Sequence, residues 1–321
     1  MKLGIKPGIG VIIGIKWNGE PTPKHLRKAQ WMIRLENFPV CGIVVAVYLA
    51  TCSAIQVPSA FGEDLIPDKN LEVAVRREVF DKRYNADPLT SDDVKNISQV
   101  VAKGKGIKSL EGLQHCKSLM KIDFEKNEII DLSPIKDLKL LQSIDLSSNK
   151  IETLEPIAEL VKSQYLQLSG NAIVDLAPLA KMSNLRSLYI ADNKIKSLEP
   201  IAGLKKMWSL DVAGNPIEDT TPISQLKGLE SINLKGCGVK SLAFVRSLTP
   251  NFMMLDGNQI VDFGPLVEAC EVDAKTERRF APFLRLYIDA ALLKDESHAT
   301  TIERLKTAGD RKSTRLNSSH G

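Results

Sequence analysis

Hydrophobic and polar positions repeat with a period of 22 residues along much of this 321-residue chain. Each period carries two apolar residues separated by one position, as at Ile144 and Leu146, and a third apolar residue further on, as at Ile151. A polar column runs between them through Asn127, Asn149, Asn171, Asn193 and Asn215, then Cys237 and, after a step of 21 residues, Asn258. A second column runs in phase through Pro134, Pro156, Pro178, Pro200 and Pro222, then Phe244 and Pro265. This many columns in one phase identify residues 97–266 as an array of repeats.

Each repeat predicts a short strand, a turn and a return segment. An apolar–x–apolar alternation is typical of a strand with one buried face. The return segment cannot be a central strand, because its proline lacks the N–H that a sheet ladder requires. One repeat is too short to bury its own apolar face. Successive repeats are therefore expected to stack into one continuous core and one parallel sheet.

The Asn column is predicted to be structural. The amide side chain carries both donor and acceptor, and at the inner turn it can pair backbone groups of its own coil and of the neighbouring one. Leaving such a group unpaired costs about 1–3 kcal/mol. We therefore expect Asn171→Ala to destabilise the protein without affecting its function.

The spacing L-x-x-L-x-L-x-x-N-x-I-x-x-L-x-P-L resembles the leucine-rich repeat family in its 22-residue form, from about Ile97 to Leu266. The resemblance implies an α/β solenoid, a curved horseshoe with a parallel sheet on its concave side and irregular or 3-10 structure on its convex side. Family members with this repeat length include bacterial internalin-like surface proteins and eukaryotic regulatory subunits of phosphatases. Val100 fits a degenerate first strand, with Lys105 at the Asn position.

Both ends of the repeat array carry sequences that resemble caps. On the N-terminal side, residues 66–80 predict a helix with Leu71, Val75 and Val79 on one face. The sequence TSDD at residues 90–93 is a candidate capping box for a second short helix. On the C-terminal side, residues 284–293 resemble one more worn strand with Ala291 in the Asn position, and Leu305 belongs to a predicted final helix that ends near residue 309.

The two termini show different patterns. Residues 38–57 contain no charged residue, and a start at Met32 gives the layout of a secretory signal with cleavage after Ala60. Cys52 in the sequence LATC is an alternative lipid-attachment site, and an uncleaved anchor is a third interpretation. Residues 310–320 resemble a translated sequencing adapter.

These patterns divide the chain into six segments. They are an upstream over-extension (1–31), a signal peptide, lipoprotein signal or anchor (32–60), a helical N-terminal cap (61–96), the leucine-rich repeats (97–266), a C-terminal cap with a degenerate last repeat (267–309) and an artefact tail (310–321).

Charge argues against a nucleic-acid partner. The full chain has a formal net charge of +4, but residues 1–31 hold six Lys or Arg and one Glu, and residues 310–321 hold three Lys or Arg and one Asp. Residues 61–309 therefore carry a net charge of −3. A basic stripe, which nucleic-acid binding needs, is not expected there.

The sequence offers little catalytic chemistry. Nucleophile-elbow and phosphate-loop motifs are lacking, and neither His115 nor His298 has a second His at metal spacing. Cys116 lies in an apolar column, and Cys237 is more than five coils away, so buried free thiols are expected rather than disulfides. We expect a chain that is not an enzyme and needs no cofactor or metal; a catalytic domain beyond residue 309 is the remaining enzymatic alternative.

The concave face is the predicted binding surface. Tyr165 and Tyr189 fall on adjacent strands, and Trp208 falls one coil later, so they are candidate protein-binding anchors. An acidic patch precedes them, where like charges oppose one another and a basic peptide or a cation would relieve the repulsion. The candidate binding residues are Asp123, Glu125, Asp145, Tyr165, Gln167, Tyr189, Trp208 and Asp211. The many Ser and Ala between them predict a smooth surface without a preformed small-molecule pocket.

Two function hypotheses follow. The first is a protein- or peptide-binding protein of bacterial internalin type that is secreted, periplasmic or attached to the cell surface, with membrane contact only through its signal, lipid anchor or N-terminal segment. The alternative is a cytoplasmic regulatory or scaffold subunit that binds an enzyme such as a phosphatase. The signal-like segment and the helical cap favour the first hypothesis.

Overall fold

The structure is a computed structural model that describes residues 64–276, 280–294 and 298–308, and a strand at residues 315–318. All of these belong to the unit from Phe61 to Gly321. The predictions for residues 1–31 and 32–60, including the signal, the lipid-attachment site and the start at Met32, lie outside the described residues. The adapter-like tail lies outside them too, apart from its four-residue strand.

The described strands form one parallel sheet in chain order. They are β1 (Gln99–Val101), β2 (Lys121–Asp123), β3 (Ser143–Asp145), β4 (Tyr165–Gln167), β5 (Ser187–Tyr189), β6 (Ser209–Asp211), β7 (Ser231–Asn233), β8 (Phe252–Met254), β9 (Arg285–Ile288) and β10 (Arg315–Ser318). From β1 to β7 the register steps by 22 residues, as in the pairing of Ile122 with Ile144. The predicted solenoid is therefore confirmed, with the sheet along one side.

The return segments are short 3-10 turns. They span Leu113–His115, Ser133–Ile135, Glu155–Ile157, Ala177–Leu179, Glu199–Ile201, Thr221–Gln225 and Ala243–Ser247. In five of them proline occupies one of the first two positions, where its missing N–H is not needed. The core lies between the sheet and these turns, and residues such as Ile144 and Ile157 in it are inaccessible to solvent.

The Asn column forms the predicted ladder. Asn149 donates from Nδ2 to the carbonyl oxygens of Phe124 (3.0 Å), Leu146 (2.9 Å) and Ser147 (3.2 Å), and its Oδ1 accepts from the backbone N–H of Ile129 (3.0 Å). Two of these partners belong to the preceding coil, so one amide joins two coils. The expectation that the amide pairs backbone groups of its own coil and of the neighbouring coil is confirmed.

Cys237 fills the same column with different chemistry. Its Sγ lies 3.1 Å from the carbonyl oxygen of Val212 and replaces the amide donor. A thiol offers no strong acceptor, and the N–H of Ile217, which an Asn would bind, donates instead to the carbonyl oxygen of Asn215 at 2.9 Å. The replacement of Asn by Cys237 is thus accompanied by a different hydrogen bond in the turn of the preceding coil.

The residue before each ladder position has a positive φ. Glycine occupies it in several coils, for example Gly170 at 72° and Gly214 at 68°, but Lys126, Ser148 and Asp192 adopt 56°, 54° and 52°. L-residues visit this left-handed region at a cost. The bonded turn of each coil imposes it, because the following Asn must point inward.

The N-terminal cap consists of α1 (Lys69–Glu78) and α2 (Ser91–Val94), with a 3-10 turn at Phe80–Lys82 between them. Leu71 and Val75 of α1 are fully buried against the first coil. The predicted capping box of α2 is present between Thr90 and Asp93. The ammonium of Lys82, 2.7 Å away, and the Thr90 hydroxyl lower the pKa of Asp93 to about 2.

The C-terminal cap departs from the repeat. Helix α3 (Gly264–Lys275) takes the place of a 3-10 turn, and β9 pairs with β8 after an insertion. Helices α4 (Ala290–Lys294) and α5 (Ala299–Ala308) follow. The predicted strand is therefore confirmed at residues 285–288, and α5 confirms the predicted final helix, with Leu305 buried.

Ala291 does not continue the Asn ladder as predicted. It lies in α4, and Asp289 instead accepts a hydrogen bond through Oδ2 from the N–H of Gly257 at 2.9 Å. An alanine side chain has no group with which to pair the turn of the preceding coil. In the regular coils the corresponding N–H bonds a backbone carbonyl of the next coil, as the Gly236 N–H bonds the carbonyl oxygen of Asp256. The Asp289 carboxylate replaces that carbonyl, and the chain turns into a helix.

Within the described residues, Cys116, Cys237 and Cys270 are free and buried. Burial raises the pKa of the Cys116 thiol to about 12 and that of Cys237 to about 11. Among the helices that the structure describes, none has both the length and the apolar content to cross a bilayer.

Candidate functional site

The strand residues on either side of each buried middle position form the surface that we call the concave face. The middle residue points to the core, as Leu166 does in β4, while Tyr165 and Gln167 beside it are half-buried. Because successive coils stack about 4.8 Å apart, equivalent residues form columns across this face. The first residue of each strand makes one column, the third residue makes a second, and the residue two positions after the strand makes a third.

Three aromatic side chains meet on this face as predicted. The ring centroids of Tyr165 and Tyr189 lie 5.6 Å apart with an interplanar angle of 47°, within the range of favourable aromatic pairs. Trp208 lies just before β6 and donates from Nε1 to the hydroxyl of Ser187 at 2.9 Å. The Tyr189 hydroxyl accepts from Ser209 Oγ at 3.2 Å. The contacts hold the rings in fixed positions on β4, β5 and β6.

The concave face has an open cleft here, which the prediction of a smooth surface did not include. The cleft has a volume of about 560 Å³. Its lining residues are Gln164, Tyr165, Arg186, Ser187, Lys206 and Trp208. Ser187 lies between the two aromatic walls because it pairs with Tyr165 across β4 and β5 and accepts the Trp208 hydrogen bond. The small residue Ser187 therefore forms the floor of this cleft.

The aromatic side chains differ in exposure. Trp208 has 52% of its surface exposed, whereas both tyrosines are half-buried and less exposed than Trp208. Burial, followed by the negative charge of Asp145, raises the pKa of the Tyr165 hydroxyl. Tyr165 therefore stays neutral and keeps its hydroxyl proton at physiological pH.

The polar residues of the second column, at the third position of each strand, have a structural role that the sequence did not show. Asp145 Oδ1, Gln167 Oε1 and Asp211 Oδ1 each accept from the backbone N–H two residues later, at 3.0 Å in all three cases. Asn233 makes the same bond at 3.1 Å, and the corresponding contact of Asp123 is 3.5 Å long. These residues close the end of their own strands. Asp145, Gln167 and Asp211 are thus held by the scaffold.

Between β2 and β7, Tyr189 is the exception in that column, because it cannot accept from its own strand end. The N–H of Ala191 is paired instead by the Ser169 hydroxyl of the preceding coil at 3.1 Å. A tyrosine therefore replaces a self-capping residue at a coil where a neighbour supplies the missing acceptor. The Tyr189 side chain therefore makes no hydrogen bond to the end of its own strand. It places an aromatic ring on the concave face instead.

The acidic patch is partly neutralised from within. Carboxylate oxygens of Asp123, Glu125 and Asp145 lie within 4.8 Å of one another. The Lys103 ammonium bridges Asp123 at 3.1 Å and Glu125 at 3.0 Å. Lys126 pairs with Glu125 at 2.8 Å, and this contact, with that of Lys103, lowers the pKa of Glu125. The predicted cation is therefore supplied by the chain itself, and the patch is weaker as a site for a basic ligand.

Asp211 lies on the other side of the aromatic residues. Burial raises its pKa, while hydrogen bonds from the Ala213 N–H and from Asn233 Nδ2 oppose the shift. The nearby charge of Asp192 raises it further. The carboxyl is thus less accessible than a free surface acid.

Comparisons with known proteins agree with this architecture. A family model for leucine-rich repeats in two copies matches residues 164–203. The structure is similar to that of internalin C2 from Listeria monocytogenes, at 30% identity and a TM-score of 0.59, over 63% of this chain and 89% of that protein. The chain belongs to the internalin-like leucine-rich repeat proteins.

Another internalin, inlF of the same organism, has the same fold at 24% identity and a TM-score of 0.61. That match covers 71% of this chain and 66% of the other. No curated protein matches the chain in sequence.

The internalin-like solenoid carries a second aromatic cluster that sequence reasoning missed. The rings of Phe252 and Tyr287 lie 5.3 Å apart, and the guanidinium of Arg285 lies 5.5 Å from the Phe252 ring centroid. Phe252 falls in the first column of the repeat and could have been found by extending that column to β8. Arg285 and Tyr287 could have been found in the same way, because they lie six and four residues before Ala291, the residue predicted to take the Asn position after the insertion.

Proposed function

We propose that this chain is a non-catalytic protein- or peptide-binding protein that acts through the concave face of its sheet. We further propose that it is exported and acts at the bacterial envelope or outside the cell. The charge-free segment at residues 38–57 and the likeness to an internalin support export. Repeat scaffolds of this kind offer an extended, rigid binding surface.

One observation carries the proposal for the binding face. Tyr189 stands where neighbouring coils place a residue that caps its own strand, and its ring packs against Tyr165 beside the Trp208 cleft. Aromatic side chains held rigidly at the centre of a surface are the residues that most often dominate protein-binding energy. The scaffold alone does not account for this cluster.

The test uses a phage-displayed random peptide library as the probe. Peptides selected on the wild-type chain are expected to bind Trp208→Ala at least about 30-fold more weakly, because loss of a central anchor costs about 2 kcal/mol or more. Val174→Ala is the matched control. Val174 is an exposed apolar residue in the return segment between β4 and β5, with 57% of its surface exposed.

Fluorescence polarisation with synthetic copies of the selected peptides measures the affinities. Equal binding to wild type and Trp208→Ala would show that these peptides use another surface. Failure to select any peptide would also count against the proposal. Thermal melts of both variants confirm that the solenoid is intact, since neither side chain belongs to the core.

A further inference from the structure

The cations around the central cleft differ from the other cations of the concave face. Lys103 is paired with Asp123 and Glu125, and Lys235 is paired with Asp256 at 2.8 Å. Within the described part of the chain, no carboxylate lies within ion-pair distance of Arg186 or Lys206. Lys206 Nζ donates to a neutral acceptor, Asn184 Oδ1, at 2.7 Å.

Arg186 and Lys206 both line the cleft beside its aromatic walls. Both are exposed, and the guanidinium of Arg186 makes no hydrogen bond to any residue that the structure describes. A guanidinium offers five N–H donors in a planar fork that matches a carboxylate. The cleft therefore combines aromatic walls with two cations that have no ion-pair partner among the described residues. Glu230, the nearest acid in the Trp208 column, lies one coil beyond Trp208 and does not line the cleft.

The two aromatic walls of the cleft belong to different coils. Tyr165 and Trp208 belong to coils two strand spacings apart, which is about 10 Å. Aromatic rings pack favourably with centroids about 4.5–7 Å apart. A ligand ring that enters the cleft is thus within reach of both side chains, which line it together with Ser187.

We propose that the cleft between Tyr165 and Trp208 binds an acidic segment of a partner protein. The segment inserts one aromatic or proline ring between the two walls and places a neighbouring Asp or Glu carboxylate on Arg186 and Lys206. This inference rests on the proposed function and adds the chemistry of the ligand. It differs from the expectation of a basic ligand, which the Lys103 contacts weaken.

The surroundings favour a short acidic peptide over single-stranded nucleic acid. Stacking walls with adjacent cations are also typical of nucleic-acid sites. Here, however, the carboxylates of Asp145 and Asp211 flank the aromatic residues on either side. The phosphates of a nucleic acid that runs along the face would be repelled by these two carboxylates. A single peptide carboxylate would contact only the two cations.

The test compares two charge reversals on the complete chain. Arg186→Glu with Lys206→Glu changes the charge at the cleft, and Lys194→Glu with Lys240→Glu makes the same change in net charge at exposed lysines that do not line it. The probes are the peptides selected on the wild-type chain, and each is also made with its Asp and Glu replaced by Asn and Gln. Single-stranded oligothymidylate is the nucleic-acid probe.

The expected result has three parts. Selected peptides are enriched in Asp or Glu next to an aromatic residue or proline. Their affinity falls at least about tenfold for the cleft reversal and for the Asn/Gln peptides, and stays within about twofold for the control reversal. Binding weakens as salt rises, because the charges are partly exposed.

Other results overturn the inference in distinguishable ways. Peptides without acidic enrichment, or with equal affinity for the cleft reversal, would refute the acidic ligand, while loss of binding in Trp208→Ala would still support the proposed function. Peptides that also bind Trp208→Ala normally would refute both. Oligothymidylate that binds more tightly than the peptides, and depends on Arg186 and Lys206, would replace the peptide with nucleic acid. The milder Arg186→Gln with Lys206→Gln serves if the reversal fails to fold.

Discussion

Single residues in this chain have one of two roles, and hydrogen bonding separates them. Ladder residues such as Asn149 bind backbone groups of two coils, and Asp145 binds the end of its own strand. Tyr189 and Trp208 satisfy no backbone group that the structure describes. The first kind stabilises the solenoid, and the second kind is available to a ligand.

The ladder can be tested at Asn149. Asn149→Ala is expected to lower the free energy of unfolding by about 1–3 kcal/mol, because it leaves the Ile129 N–H without a partner in the interior. The carbonyl oxygens that Asn149 binds each keep a second donor, as Phe124 keeps the amide of Asn127. Asn171→Ala is expected to cost about 1 kcal/mol less, since Asn171 is only half-buried and water can replace part of its amide.

Urea denaturation followed by circular dichroism measures both changes. Lys150→Ala is the control, because its ion pair with Glu128 is exposed and such pairs contribute little. A loss below about 0.5 kcal/mol in Asn149→Ala would contradict the structural role of the column.

Whole elements depend on the junctions between cap and repeats. Asp68 caps α1 through hydrogen bonds from the N–H groups of Asn70 and Leu71, at 2.9 and 3.1 Å. Its other oxygen accepts from Lys108 and Ser109 in the first coil, at 2.8 and 3.2 Å. One carboxylate thus fixes the helix start and joins the cap to the solenoid.

The pH dependence of stability tests this junction. Burial raises the pKa of Asp68, but the backbone hydrogen bonds outweigh it and lower the pKa below 3.8. The stabilisation is therefore complete above pH 4 and is lost as the pH falls through the lowered pKa. Asp68→Ala should cost about 1–2 kcal/mol at pH 7, and the difference from wild type should shrink between pH 4 and lower pH.

Denaturation curves at pH 7 and at a series of pH values below 4 provide the measurement. Asp81→Ala is the matched control, because Asp81 is an exposed acid of the same cap. If the wild-type and Asp68→Ala curves stay equally far apart at all pH values, the carboxylate does not carry the junction.

At the scale of the whole molecule, the open question is where the protein acts. If the chain is exported, expression of residues 32–309 in a bacterial host should yield a protein whose intact mass begins at Phe61. Ala60→Arg should block that cleavage, because the processing enzyme requires a small residue there. Mass spectrometry of the purified chain distinguishes the products.

Two other products have defined meanings. A mass that begins at Cys52 with added acyl chains would retain export and show a lipid tether. An uncleaved product in the cytosol would contradict export and favour the regulatory-subunit hypothesis.

The sequence by itself determined the solenoid, its ladder and its N-terminal cap. A strict 22-residue period places equivalent residues in equivalent environments, so the interpretation of Asn149 applies to each coil that has Asn at this position. The Thr90 capping box is equally local, because all its partners lie within three residues. The repeat pattern of the sequence also placed Tyr165, Tyr189 and Trp208 on one face.

Only the tertiary structure decided what those positions do. The cleft, the Lys103 bridge and the cluster at Arg285 depend on side-chain directions and on pairings between coils. The strand-end role of Asp145 could not be read from the sequence. The repeat pattern is the same whether the acid accepts from its own backbone or faces solvent. A period fixes where a residue lies, whereas its charge balance and partners are set by neighbours that the period does not specify.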